Sequence, residues 1–183
     1  MISVGIALAL GAQVAATWRP FTVQFVGHVR GENVQIRLDG RTVKRTFAGK
    51  LAIRDRRTTV YSVCGNVRGP VGNGQFFNVK PMKSSSDSRL ALAGSIVTNC
   101  FEVARTDAQC AGLQLAVWEA MEDGGRSADF QGGRFQANGS KEALAWAEAF
   151  YDEQKAGEAL FLWTGDGGGQ SQFLPGLIAL PER

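Results

Sequence analysis

The 183-residue chain is poor in the residues that most often carry catalysis or bind metals. It contains a single histidine, His28, and three cysteines. No group of His, Cys and carboxylate residues has the spacing of a known metal site, so we expect neither a metal nor a cofactor. No Gly-Lys-Ser/Thr phosphate loop is present either, which argues against nucleotide binding. A cysteine hydrolase in which His28 activates Cys64 stays open, because the sequence does not tell whether the two residues meet in space.

Charge of one sign is also scarce. Lys and Arg total 20 against 17 Asp and Glu, and the formal net charge is +3. The basic residues are dispersed, with only short clusters at RTVKR and RDRR. A nucleic-acid-binding protein typically has a basic stripe with aromatic residues beside it, so we predict no nucleic-acid partner. The hydrophobic fraction of 44% and the length fit one domain with its own core, and we expect a monomer.

Long apolar runs are absent except at the N-terminus, where the sequence reads MISVGIALALGAQVAA. This run is too short to span a bilayer, and its small residues fit a signal-peptide cleavage site after Ala16. No charged segment precedes it, so a first buried strand or helix is the alternative interpretation. We predict a signal peptide over residues 1–16, a single domain over 17–183, no transmembrane anchor, and a secreted or cell-surface location.

The cysteine count is odd, which leaves one thiol to be explained in an exported protein. Cys100 and Cys110 flank the polar link FEVARTDAQ and form the natural disulfide pair, closing a short loop. Cys64 is then left unpaired.

Hydrophobic periodicity divides the chain into strands, then helices, then strands. Residues 21–63 alternate as four or five antiparallel strands, with Asp39-Gly40 as a hairpin turn. Helical spacing follows in SSSDSRLALAGSIVTNCF, TDAQCAGLQLAVWEAMED and SKEALAWAEAFYDEQKA, and two strand-like runs close the chain. We predict an α+β fold: an antiparallel β-sandwich or barrel-like sheet with an inserted helical subdomain, an αα-hairpin plus a third helix.

The second predicted helix contains a carboxamide, Gln114, between two leucines and four residues before Trp118. Most buried glutamines are only hydrogen-bonded polar groups. A thiol and a primary amide can also condense, however, with loss of ammonia, to an internal thioester. That reaction requires a partly deprotonated thiol, a rigidly held amide and the exclusion of water. Cys64 and Gln114 are the candidate pair.

The element LQLAVW, Leu113 to Trp118, resembles the thioester domains of surface proteins from Gram-positive bacteria. Their pattern is an apolar residue, Gln, two free positions, an apolar residue and Trp. The stretch from IRLDGRTVKRTFAGKLAI to VYSVC is similar to the β-segment that precedes the family's cysteine. The resemblance extends over roughly Val23 to Leu180.

This resemblance implies that Gln114 is the acyl partner and Cys64 the sulfur partner, with Trp118 and Tyr61 as binding residues. Two features depart from the family pattern. Val63 stands directly before Cys64, where the family places an aromatic residue. Cys110 lies four residues before Gln114 and is a competing sulfur, although a neighbour on the same helix points along the axis rather than across at the amide.

The function that the resemblance implies is covalent attachment rather than turnover. A lysine amine or a hydroxyl on a protein or glycan surface would attack the Gln114 carbonyl and release the Cys64 thiol. The alternative is an exported bacterial module of the same fold that binds without a covalent bond. No sorting motif follows LPER, so we expect the chain to be secreted free or held at the surface by another component.

Overall fold

A computed structural model describes residues 20–55, 58–69, 72–84, 87–153, 155–164 and 170–175. The predicted signal peptide, residues 1–16, lies outside the described residues. Seven strands and three helices follow one another in the order β1 (Phe21–Leu38), β2 (Arg41–Asp55), β3 (Thr58–Cys64), β4 (Phe76–Lys83), α1 (Ser88–Cys100), α2 (Asp107–Glu122), β5 (Phe135–Asn138), α3 (Lys141–Asp152), β6 (Leu160–Trp163) and β7 (Gln172–Leu174). None of the helices in these ranges is long and apolar enough to cross a membrane.

The strands form one antiparallel sheet that closes on itself. Its order is β2-β3-β7-β6-β4-β1-β5, and β1 also pairs with β2. The six strands from β2 to β1 therefore make a complete ring, with β5 attached to the end of β1. Such closure leaves few strand edges exposed to solvent. The predicted α+β class with a barrel-like antiparallel sheet is confirmed.

Residues 21–64 form three long strands instead of the four or five short ones predicted. Gly27 lies at an irregularity inside β1, where the register with β2 shifts between Phe25 and Gly27, and Gly31 continues the strand opposite Gly49. Gly31 and Gly49 face each other so closely that a Cβ on Gly31 would lie 2.1 Å from the Ala48 carbonyl oxygen. Glycine is therefore required there for strand contact, and these positions bend a strand without ending it.

The helices begin at side-chain caps that the sequence indicates. Asp87 caps α1, and Ser140 caps α3 by accepting a hydrogen bond from the Ala143 amide. Thr106 caps α2 in a full capping box with Gln109. Helix α2 ends before Gly124, whose φ of +64° suits glycine.

Helix α2 lies at the centre of the molecule and is buried on every side from Cys110 to Ala120. It packs against α1 and α3 and against strands β1 and β2. A helix that is buried all round carries apolar residues on all faces, so its few polar residues need internal partners. Gln114 and Glu119 are the buried polar side chains of this helix.

The predicted disulfide between Cys100 and Cys110 is wrong. Both cysteines are free and buried in one apolar cluster. The Cys100 thiol lies 3.9 Å from the Phe150 carbonyl oxygen, and the Cys110 thiol donates to the Ala104 carbonyl at 3.4 Å. The two cysteines are close in sequence but do not bond to each other, because each thiol points to a different backbone carbonyl.

Candidate functional site

Cys64 is the last residue of β3 and lies where that strand loses one of its two neighbours. Pairing with β2 ends at Leu51 opposite Ser62. On the other edge of β3, the Gly65 N–H donates to the Ser171 carbonyl, so these two residues are a hydrogen-bonded pair. Because such pairs alternate along an antiparallel ladder, Cys64 and Gln172, one position earlier on β3, are a non-hydrogen-bonded pair of β3 and β7. The backbone N–H and C=O of Cys64 therefore point towards the side from which β2 has departed. They need another partner, because Cys64 is only 1% exposed.

The side-chain amide of Gln114 supplies both missing partners. The Cys64 N–H donates to Gln114 Oε1 at 2.8 Å, and Gln114 Nε2 donates to the Cys64 carbonyl at 2.8 Å. Gln114 is 1% exposed, so water does not compete with these bonds. Helix α2 thus delivers one carboxamide to the backbone of one cysteine, and the two residues predicted from the sequence lie in direct contact.

The Cys64 thiol is protonated in this environment. Burial raises its pKa to about 12, and the contacts with the Asn66 backbone and the Trp118 side chain lower that pKa only in part. The thiol donates to the Asn66 carbonyl. Asn66 also orders the turn after β3, because its side-chain oxygen accepts from the Ser171 amide at 3.0 Å. The sequence offered no signal that singled out Asn66, since its role depends on a turn formed with residue 171.

Trp118 lies one helical turn after Gln114, on the same face of α2, and is 2% exposed. Its indole Nε1 makes no hydrogen bond of ordinary geometry within the described part of the chain. The indole N–H acts on the Cys64 thiol, whose pKa it lowers, in a contact looser than a formed hydrogen bond. A buried N–H without a hydrogen-bond partner lowers the free energy of unfolding by about 1–3 kcal/mol. A better acceptor beside the indole N–H would therefore stabilise the site.

Other residues that the sequence suggested lie away from the thiol. Tyr61 is on β3, but its side chain is 54% exposed and lies on the opposite face of the strand from Ser62. His28 stacks on Phe47 at 4.1 Å between ring centroids. Strand β2 lies between the strand of His28 and that of Cys64, a separation of about 10 Å across the sheet.

The described residues bring no base to Cys64. The competing sulfur, Cys110, is engaged with the Ala104 carbonyl. Among the same residues, no cluster of His, Cys, Asp or Glu is arranged to hold a metal ion. The chemistry of the site therefore depends on the thiol, the amide and the Trp118 donor.

A cleft of about 380 Å³ opens beside this site, and we call it the arginine-rimmed cleft. It is lined by Leu38, Asp39, Arg41, Val67 and Arg68. Leu38 belongs to the same apolar cluster as Cys64 and Trp118, and Val67 packs against that cluster. The apolar part of the lining therefore belongs to, or packs against, the cluster that also contains the thiol residue.

Asp39 organises the rim of this cleft. One carboxylate oxygen lies 2.9 Å from Arg68 and the other 2.9 Å from Arg134. These two guanidinium groups hold the pKa of Asp39 down to about 2. The carboxylate is therefore ionised at all ordinary pH values and is already paired on both oxygens.

Comparison with models of protein families gives no match, and comparison with curated proteins gives none. The fold is similar to a solved structure, the N-terminal thioester domain of a surface protein from Clostridium perfringens. The TM-score is 0.48 and the sequence identity 14%. The match covers 80% of this chain and 100% of that chain.

Proposed function

We propose that Cys64 and Gln114 form an internal thioester, and that this bond reacts once with an amine on a target surface. The chain would then act as an exported bacterial attachment domain rather than as a turnover enzyme. The observation that carries the proposal is the pair of hydrogen bonds between the Gln114 amide and the Cys64 backbone, in a site where both residues are 1% exposed.

The two hydrogen bonds suit the amide to nucleophilic attack. The donor from Cys64 N–H polarises the Gln114 carbonyl and would stabilise negative charge on Oε1 as a tetrahedral intermediate forms. The bond from Nε2 to the Cys64 carbonyl holds the nitrogen that must leave. Because the amide is fixed before reaction, little entropy remains to be lost in the chemical step.

The sulfur belongs to the same residue whose backbone holds the amide. Strand side chains stand roughly perpendicular to the sheet, whereas backbone hydrogen bonds lie in its plane. Rotation of the Cys64 side chain away from the Asn66 carbonyl would therefore bring Sγ over the face of the Gln114 amide, the direction from which a nucleophile attacks.

The proposed step conserves atoms and charge. Sγ bonds to Cδ of Gln114, the Cδ–Nε2 bond breaks, and the thiol proton leaves on the nitrogen as ammonia. In the second step an amine attacks Cδ, the C–S bond breaks, and the proton of the amine returns to sulfur. The products are an amide between Gln114 and the target and a free Cys64 thiol. A target hydroxyl would give an ester by the same route.

Trp118 supports the first step in two ways. Its ring is buried beside the thiol and excludes water that would hydrolyse a thioester. Its indole N–H has no other partner of ordinary geometry among the described residues and is available to a sulfur that acquires negative charge.

Methylamine tests the function directly. We expect it to add to the native protein, with peptide mapping locating the new methylamide at Gln114. Cys64→Ala should abolish the addition, whereas Cys110→Ala, which removes another buried thiol, should leave it intact. Addition elsewhere, or equal addition to Cys64→Ala, would contradict the proposal.

A second candidate is a non-covalent binding module, and two observations favour it. The Gln114 amide already satisfies the strand end at Cys64, which is a sufficient structural reason for a buried glutamine. The pKa of Cys64 is raised to about 12, which disfavours the thiolate. If this candidate is correct, methylamine will not react, and Cys64 will be alkylated in full once the chain is unfolded.

A further inference from the structure

We propose that the arginine-rimmed cleft binds acidic side chains next to the reactive lysine of a target, so that the preferred partner is a lysine flanked by Asp or Glu in a peptide segment. The inference rests on the proposed function, because it assigns the substrate class of the same thioester.

The charges that line the cleft select for an anion. Arg41 and Arg68 are the cations of the lining and Asp39 its carboxylate. Both oxygens of Asp39 are already paired with arginines, so this carboxylate is a poor acceptor for a lysine ammonium. Arg41 forms no ion pair with a carboxylate in the described ranges of the chain. A guanidinium in this position suits a carboxylate through two parallel hydrogen bonds.

The lining also has an apolar part. Leu38 is 3% exposed, and Val67 packs against the cluster that contains Cys64. The aliphatic stem of a lysine side chain can lie on such a surface while its terminal amine extends further into the cleft. The nearby guanidinium groups would also disfavour the ammonium form of that lysine, which promotes the neutral amine that attacks a thioester.

The distances fit a short peptide. Val67 is the third residue after Cys64, so at most about 10 Å of chain separates the cleft from the thiol residue. In an extended peptide, a side chain two or three residues from the lysine lies about 7–10 Å away. A peptide carboxylate at either of these positions could therefore lie in the cleft while the lysine reaches the thioester residues.

The test compares three peptides that each contain one lysine, flanked by acidic, neutral or basic residues. Adduct formation is followed by intact mass at low and at high salt. We expect the acidic peptide to react about tenfold faster than the neutral one at low salt, with the difference shrinking at high salt. Equal rates for the three peptides would overturn the inference.

Charge-reversed variants locate the effect. Arg41→Glu should remove the preference for the acidic peptide, while Arg54→Glu, the same change at an exposed position on β2, should keep it. Methylamine has no flanking charge, so its rate of addition should change far less in Arg41→Glu than the rate of the acidic peptide does. Equal loss of the preference in Arg41→Glu and Arg54→Glu would show an effect of net charge alone and would contradict a cleft.

Separate measurements test the cleft and the thioester. Methylamine addition to the native protein decides the thioester. Binding to the cleft is measured separately in Cys64→Ala, which cannot form a thioester and keeps the Gln114 amide, by the fluorescence anisotropy of the labelled acidic peptide. We expect Arg41→Glu to weaken that binding about tenfold. No binding, or binding unchanged by Arg41→Glu, would overturn the inference whatever the methylamine result.

Discussion

The side chain of Gln114 acts as a strand neighbour for Cys64. Its amide oxygen accepts from the Cys64 N–H and its amide nitrogen donates to the Cys64 carbonyl, each at 2.8 Å. Pairing of β2 with β3 ends at Leu51 opposite Ser62, and the Gln114 side chain takes the place of β2 beside Cys64. This relationship gives Gln114 a structural role in the chain before any thioester forms, and it gives Cys64 an immobilised electrophile.

Removal of the Gln114 amide should destabilise the fold. Gln114→Ala leaves the N–H and C=O of Cys64 buried without partners, and we expect a loss of about 2–4 kcal/mol in the free energy of unfolding. Urea denaturation in the Cys64→Ala background, where the amide cannot be lost to a thioester, measures it. The control is Gln131→Ala, at an exposed position, which should change the stability by less than about 0.5 kcal/mol. Equal effects of the two substitutions would show that the two hydrogen bonds contribute nothing.

The indole N–H of Trp118 should accelerate thioester formation. Trp118→Phe keeps an aromatic ring in place but removes the donor that acts on the Cys64 thiol. Chain recovered unfolded from inclusion bodies still carries the Gln114 amide, and we expect its loss of ammonia on refolding, followed by intact mass, to slow about tenfold or more.

Trp146→Phe is the matched control, since Trp146 packs against Phe150 on α3. Where Trp118→Phe folds poorly, benzothienylalanine at position 118 preserves the shape of the ring and replaces the N–H with sulfur. A native rate in that isosteric variant would exclude a role for the N–H.

Thioester formation should depend steeply on pH. Burial raises the pKa of the Cys64 thiol to about 12, so below that pH the thiolate fraction rises about tenfold for each unit. The rate of ammonia loss on refolding should follow this slope between about pH 6 and pH 9. A plateau near neutral pH would mean that the thiol is activated by a group that the described residues do not bring to it.

Glu119 should make the fold less stable as pH rises through the acid range. The carboxyl is 2% exposed, and burial, then the nearby Asp123 and Asp129, raise its pKa to about 7, whereas a hydrogen bond from the Asp129 amide opposes the shift. The native state then holds a proton that the unfolded chain releases near pH 4.5, and stability falls between about pH 4.5 and 7. Tyr151 also faces this carboxyl.

Glu119→Gln keeps the oxygen that accepts from Asp129 and removes the charge. We expect thermal denaturation to show a gain of about 1 kcal/mol at pH 8 relative to the native chain, and a smaller gain at pH 4. Glu148→Gln, at an exposed position on α3, should give no such pH-dependent difference. The same pH dependence in both variants would contradict the role assigned to Glu119.

Local signals predicted the helices and the candidate pair. Thr106 and Ser140 cap helices because short polar side chains satisfy free amides at a helix start, which the sequence shows without reference to the rest of the fold. Gln114 was recognisable because a carboxamide in an apolar helix needs an internal partner. Cys64 was recognisable because it ends a strand pattern, although the disulfide that was expected to leave it as the unpaired thiol does not form.

Relationships between distant segments were not predictable from the sequence. Three such relationships depend on how the barrel closes. Strand β2 stops pairing with β3 before Cys64, the Asn66 side chain contacts Ser171, and two arginines pair with Asp39. The disulfide prediction failed for the same reason. Cys100 and Cys110 are close in sequence, but α3 gives the Cys100 thiol a neighbouring carbonyl from outside that segment.

The most direct test of the central claim is the intact mass of the purified, untreated protein, compared with Cys64→Ala and Gln114→Ala. The thioester predicts that the native chain is lighter by one ammonia than its sequence requires, and that each variant has its full sequence mass. A native chain of full sequence mass, with Cys64 alkylated on unfolding, would contradict it.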